Sequence, residues 1–251
     1  MIFYFTGTGN SKAAADALLQ NGEALISITE AKWKDTFCYT PAPGERVGFV
    51  FPVYFFGLPE TVREFLSQLH FTVNPAYTYA VITCGGSIAG AGGLAAKALA
   101  KNGTALNAVY SLKMPDNYVV MYDIPTPEQE GPVLEAADRR LAEIRAAIAA
   151  GKAEGMPVSA ANKAKTALLY PFYGACRKTK KFYTTKDCVS CGVCAGRCPV
   201  KAIELIDGTP TWVKDRCDHC MSCIRCNAIQ YGKRTVGKPR YRHPSLRKGH
   251  H

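Results

Sequence analysis

No stretch of the 251-residue chain approaches the 18 or so unbroken apolar residues that a membrane-spanning helix needs. The longest apolar runs, 47–59 and 167–176, are short and interrupted by proline. The opening MIFYFTGTGN lacks the basic start and the long apolar stretch of a secretory leader, so the expectation is a cytoplasmic chain. In that compartment the 11 cysteines are not expected to form a disulfide framework. Gly9 is followed by Asn10 rather than by lysine, so the G-x-x-x-x-G-K-[ST] spacing of a nucleoside-triphosphate P-loop is missing. No helix-turn-helix or zinc-finger pattern accompanies the basic residues, which weighs against a nucleic-acid-binding redox sensor.

A hydrophobic fraction of 47% supports a folded core. Charge and cysteine are distributed unevenly. Residues 1–158 carry a net charge of −3 and residues 159–251 a net of +14, which together give the overall +11. Eight cysteines fall between Cys188 and Cys226; only Cys38, Cys84 and Cys176 lie outside. The two changes coincide and place a domain boundary near 152–175. The expected division is 1–151, a linker at 152–178, a cysteine-rich domain at 179–236 and a basic tail at 237–251.

The first 150 residues alternate short apolar runs with helical patterns. Strands are expected over 2–5, 24–28, 46–53, 77–84 and 106–112, and helices over 11–20, 58–69, 94–101 and 134–150. Five strands interleaved with helices imply an α/β fold, a doubly wound parallel sheet covered on both faces. Ligands then bind at the carboxyl ends of the strands. Three loops fall there. Thr6-Gly7-Thr8-Gly9-Asn10-Ser11 follows a strand and opens a helix, where backbone N–H groups and small hydroxyl side chains suit a phosphate. Pro52-Val53-Tyr54-Phe55-Phe56-Gly57-Leu58-Pro59 offers aromatics to a flat ring, with Gly57 expected to supply a backbone conformation denied to other residues. Thr83-Cys84-Gly85-Gly86-Ser87 lets the backbone approach a ligand closely. An ordinary strand-to-helix turn, a loop packed on the second domain and a common glycine turn are the corresponding structural readings.

Taken in order, these loops resemble those of the flavodoxins. The resemblance implies a five-stranded flavodoxin-like domain that binds FMN. Thr6, Gly7, Thr8, Gly9, Asn10 and Ser11 would then hold the phosphate. Val53, Tyr54, Phe55, Phe56, Gly57, Cys84, Gly85 and Gly86 would flank the ring, and 114–118 would close over it.

The most specific signal is Cys188-x2-Cys191-x2-Cys194-x3-Cys198-Pro199, which resembles the bacterial ferredoxin run. Zinc usually takes two well-separated C-x2-C pairs and does not ask for the third cysteine. After an expected hairpin turning at Asp207-Gly208, a second copy runs Cys217-x2-Cys220-x2-Cys223-x2-Cys226. It lacks the proline, and its last spacing is one residue short. The resemblance implies a small α+β domain with two [4Fe–4S] clusters and crossed ligation. One cluster would take Cys188, Cys191, Cys194 and Cys226; the other would take Cys217, Cys220, Cys223 and Cys198. The short spacing puts Cys226 in question, with Cys176 as a substitute. His219, between ligands, reads as a neighbour of the cluster rather than a ligand.

Over its whole length the chain resembles the flavodoxin–ferredoxin fusions called EFR-type ferrodoxins, through FTGTGNS, FPVYFFGLP, CGGS, KMPDNY, CGVCAGRCPVKAIEL and AIQYGKR. That resemblance implies electron transfer between the clusters and FMN, which joins one-electron to two-electron chemistry. A protein partner, an acidic ferredoxin or an oxidoreductase, would dock on the basic segments 177–181 and 233–248. A flavin-dependent reductase of a small molecule, fed by the clusters, is the alternative.

Overall fold

The computed structural model describes residues 1–153 and 159–247. Lys248 and residues 154–158 of the expected linker lie outside the described residues. In the first half the chain runs through β1 (Ile2–Tyr4), α1 (Asn10–Leu18), β2 (Leu25–Ser27), α2 (Ile28–Trp33), β3 (Cys38–Tyr39) and β4 (Arg46–Pro52). It continues through α3 (Glu60–Gln68), β5 (His70–Phe71), β6 (Tyr77–Cys84), α4 (Ala91–Ala100), β7 (Ala108–Lys113) and α5 (Pro127–Ala149).

Five of these strands form one parallel sheet in the order β2-β1-β4-β6-β7, while β3 and β5 make a separate two-residue pair. This is the flavodoxin-like doubly wound order, with its switch point between β1 and β4. Strand β6 is buried at every position, and β4 from Val47 to Phe51, because helices cover both faces. Alternation along the strands divides the core in two. Phe3, Phe49, Phe51 and Ile82 face α2, α3 and α4, with Phe65 and Leu66 packed among them. Ile2, Val50, Val81 and Tyr110 face α1 and α5, with Leu141 and Ile144 against them.

Helix α5 begins seven residues before the expected 134. Thr126 and Gln129 form a capping box with Pro127 in the first turn, and the helix runs on through Pro132 at the cost of one backbone bond. The expected linker contains α6 (Ala160–Leu169), capped by Ser159, and α7 (Tyr173–Cys176).

The second unit is small. β8 (Phe182–Thr184) pairs antiparallel with β11 (Ile229–Tyr231). β9 (Ile203–Ile206) pairs with β10 (Thr209–Trp212) across Asp207-Gly208, both at positive φ, as a two-residue primed turn requires. α8 (Val193–Gly196) lies within the first cysteine motif and carries Cys194. Its core is not its own alone, since Val119, Val120 and Ile124 of the first unit pack with Cys194, Cys198, Ile203 and Met221. Further contacts join the units: Trp33 Nε1 donates to the Pro199 carbonyl (3.2 Å), and the Thr61 N–H donates to Asp218 (3.2 Å).

Candidate functional site

The carboxyl ends of β1, β4 and β6 bring the three expected loops to one edge of the sheet. Val53, Tyr54, Phe55, Phe56, Cys84, Gly85 and Gly86 line one cavity of about 630 Å³, together with Asn10 and residues 115–118. That size lies within the range of small-molecule sites. A wider, open depression of about 700 Å³ beside Phe182 and Trp212 touches none of the candidate ligands or loops.

The aromatic loop is a two-residue turn closed by reciprocal backbone bonds between Tyr54 and Gly57 (3.0 and 2.9 Å). Its central residues are Phe55 (φ 48°) and Phe56 (φ 66°), where glycine or asparagine is usual. Strain of this kind costs about 1–3 kcal/mol per residue and concentrates at functional sites. The expectation for Gly57 is corrected here: Gly57 is not at positive φ, and its lack of a side chain admits the Tyr170 ring, 2.4 Å from where a Cβ would stand. The turn is held from the expected linker. Thr166 Oγ1 donates to the Phe56 carbonyl (2.7 Å) and accepts from Gly90 N–H (2.8 Å), and Tyr170 Oη donates to the Leu58 carbonyl (2.8 Å). Phe55 stacks on Tyr173 at 6.1 Å.

The first loop is held differently. Gly9, at φ 112°, caps α1, and the N–H groups of Asn10, Ser11 and Lys12 start the helix with no acceptor inside it. The side chains are engaged by protein. Gly9 N–H donates to Thr6 Oγ1 (3.0 Å), Asn117 Nδ2 to Thr8 Oγ1 (2.6 Å), Asn10 Nδ2 to the Pro115 carbonyl (3.0 Å), and Ser11 shares a bond with Thr83 (2.8 Å). Gly7 abuts the carbonyl of Cys220. Of this loop, only Asn10 lines the cavity.

No motif foretells that the basic tail returns to this loop. Tyr241, 3% exposed, donates to Asn10 Oδ1 (2.6 Å). His243 N–H donates to the Thr8 carbonyl (3.0 Å), and Leu246 packs on Gly9. Arg247 Nη2 reaches both oxygens of the buried Glu130 at 2.6 and 2.9 Å. Residues 241–247 thus strap the first loop rather than standing free.

Cys198, Cys217, Cys220 and Cys223 line one small cavity in the second unit, the four residues expected to share a cluster. Burial pushes the Cys217 thiol up to about 12 and those of Cys220 and Cys223 well above their ordinary value. Thiols this reluctant to ionise are stabilised as thiolates by iron. Cys188 and Cys191 both lie near Cys194, whose thiol burial also raises. Cys226 is exposed, and Arg240 lies within its electrostatic reach. Cys176 lines the 630 Å³ cavity on the other side of the unit interface.

The two motifs share a backbone pattern. Ser190 (φ 56°) and Gly192 (φ 73°) flank Cys191, while His219 (φ 52°) and Met221 (φ 61°) flank Cys220. Left-handed residues on either side of the middle cysteine wrap each loop around a common centre. Among the described residues no three His, Cys, Asp or Glu side chains converge as ligands of a single ion do. A [4Fe–4S] cluster does not ask for that, because each thiolate holds a different iron.

Asp218 and His219, between Cys217 and Cys220, line both cavities. His219 Nε2 donates to the Lys178 carbonyl (3.0 Å), so Nδ1 accepts from the Tyr118 hydroxyl (3.1 Å), and burial lowers the pKa of this neutral ring. His219 is therefore committed to protein partners. Asp218, 1% exposed, accepts from Thr61 N–H and lies 3.4 Å from Arg177, while Tyr173 donates to its carbonyl (3.0 Å). Tyr54 is within reach of both Cys220 and Asp218, and burial raises its hydroxyl well above the usual value.

The arrangement fits the groups that the sequence implies. The cavity offers a flat ring two loops and the open Cα face of Gly86, the first turn of α1 offers a phosphate its N–H groups, and four thiols surround the smaller cavity.

Residues 182–204, which include Cys188, Cys191, Cys194 and Cys198, match the 4Fe-4S binding domain family. No curated protein matches the chain. Two solved structures are similar over part of it. The Trp repressor binding protein from Bacillus subtilis is 16% identical, over 56% of this chain and 96% of its own, at a TM-score of 0.32. A flavodoxin from Streptococcus pneumoniae TIGR4 is 16% identical, over 57% of this chain and 97% of its own, at a TM-score of 0.29. At such scores the fold assignment rests on the sheet order itself. The chain joins a flavodoxin-like α/β unit to a 4Fe-4S ferredoxin-type unit.

Proposed function

We propose that this chain transfers electrons between two [4Fe–4S] clusters and an FMN, as a member of the EFR-type flavodoxin–ferredoxin fusions. Residues 1–151 form the flavin-binding domain, 179–236 the two-cluster domain, 152–178 the connection and 237–251 the tail. A bound flavin accepts one or two electrons whereas each cluster carries one, so the pair joins the two kinds of chemistry.

One observation carries the reading: the thiol-lined cavity and the ring-loop cavity share a wall, Asp218 and His219. The inner cluster site, Cys198, Cys217, Cys220 and Cys223, is thereby next to the flavin site. The outer site, Cys188, Cys191, Cys194 and Cys226, faces solvent at Cys191 and Cys226, with Val189 82% exposed beside it. Electrons enter or leave at this outer end, where an acidic redox protein docks on the basic surface. Asn10, Ser11 and Lys12 present N–H groups to the phosphate, and Tyr54, Phe55 and Cys84–Gly86 hold the ring. Tyr118, His219 and the Lys178 carbonyl form a fixed, neutral bridge that keeps water out of the wall.

A Cys191→Ser variant tests this. It is expected to keep FMN and to be reduced by a one-electron ferredoxin-type donor on the order of tenfold more slowly, or worse. Equal rates in the two proteins would sink the relay. A second reading, a reductase of a small molecule at the flavin, is favoured by the cavity beside Tyr54–Phe56.

A further inference from the structure

The cavity of about 630 Å³ has two unlike walls. One is the aromatic turn and the glycine loop. The other carries four cations, Lys178, Lys180, Lys181 and Arg234. All four side chains belong to exposed residues, and among the described residues none makes an ion pair. The acids of the same cavity do not answer them. Asp218 is taken by Thr61 and Arg177, and Asp116 accepts from Tyr118 N–H (3.0 Å) and lies against Gly85. A cleft lined by cations on one side and by low-dielectric rings on the other concentrates anions.

We propose that this basic wall binds a small planar organic anion, a carboxylate-, sulfonate- or phosphate-bearing molecule, beside the ring loops; the proposal rests on the flavin reading of the cavity and supplies the substrate class of that site. With Tyr54, Phe55 and Cys84–Gly86 given to the flavin ring, Phe56, 37% exposed on the same turn, is the side chain that selects a flat body. The lysines and the arginine select its charge; Lys178 and Lys180 also border the open depression beside Trp212, but all four cations meet only at this cavity, whose size suits a small molecule. A flavin's own phosphate has the same chemistry, and the experiment separates the two sources.

Naphthalene-2-sulfonate and its uncharged counterpart naphthalene-2-methanol are titrated by calorimetry into the flavin- and iron-loaded protein, and into a Lys180→Gln/Lys181→Gln variant. The sulfonate is expected to bind the native protein more tightly than the alcohol. In the variant its affinity falls about tenfold or more, as loss of charge-assisted contacts implies, while the alcohol is unaffected. Iron and flavin contents stay unchanged. Equal binding of both probes by the native protein, or undiminished sulfonate binding by the variant, would overturn the proposal. So would a variant that loses FMN yet holds riboflavin, because the wall would then serve the flavin phosphate. Lysine-dependent sulfonate binding by a protein that takes up no flavin would break the flavin reading and leave the anion site standing.

Discussion

At the scale of single residues, three glycines near the candidate site do three different things. Gly9 takes a left-handed conformation to cap α1. Gly57 makes room for the Tyr170 ring, and Gly7 for the Cys220 carbonyl, which would stand 1.9 Å from an added Cβ. The backbone strain sits instead on Phe55 and Phe56, whose side chains the cavity uses. Gly7→Ala therefore forces the first loop and the inner cysteine loop apart. The expected cost is about 1–3 kcal/mol of overpacking, with loss of about four irons from the inner cluster and a lowered unfolding midpoint. Gly93→Ala in α4 is the control, since nothing lies within 4 Å of its added Cβ and it stands outside the three loops; its unfolding midpoint should not fall. A Gly7→Ala protein with full iron content and an unchanged midpoint would show that the contact is not tight in solution.

At the scale of elements, two segments read as connection and tail do positional work. Helix α6 with the turn into α7 supports the aromatic loop through Thr166, Tyr170 and Tyr173. The strap 241–247 covers the first loop, and His243 gives it a pH dependence. Burial lowers the His243 pKa from 6.5, Asp138 opposes this and Arg247 reinforces it. A depressed histidine pKa means that the folded strap prefers the neutral ring. The stabilisation is complete above about 6.5 and is lost as pH falls through the folded-state value. The protection of the backbone N–H groups at 241–247, measured as exchange relative to the intrinsic rate at each pH, is expected to fall on acidification below that point, ahead of the sheet. A His243→Asn variant should remove the pH dependence. Protection that stays flat from pH 7 to pH 5 in the native protein would count against it.

At the scale of the whole molecule, the two proposed cluster sites differ in shelter. The inner one lies at the interface of the two units, behind Asp218 and Tyr54. The outer one has two exposed cysteines and exposed Val189 and Val193 around it. Limited exposure to oxygen or a chelator is expected to remove about four irons from the outer site first. Cys226→Ala should bring that loss forward or leave a three-iron species there, read by iron analysis and electron paramagnetic resonance. Retention of about eight irons with unchanged spectra would mean that Cys226 is not a ligand.

The doubly wound sheet and its three carboxyl-end loops were legible in the sequence because strand burial and strand–helix alternation are local patterns. The first cysteine run was legible because cluster chemistry imposes ligand spacing directly. The hairpin at Asp207-Gly208 was legible for a similar reason, since only certain residues accept that turn. The sequence did not show that Gly7 meets Cys220, that α6 braces Phe56, that Tyr241 binds Asn10, or that Lys178, Lys180 and Lys181 border the ring-loop cavity. The first three are contacts between residues 110 to 231 positions apart. The residue types involved are ordinary ones whose role depends on what lies opposite them. Periodicity and ligand spacing are carried by the chain itself; the partner across an interface is decided only when the two units close on one another.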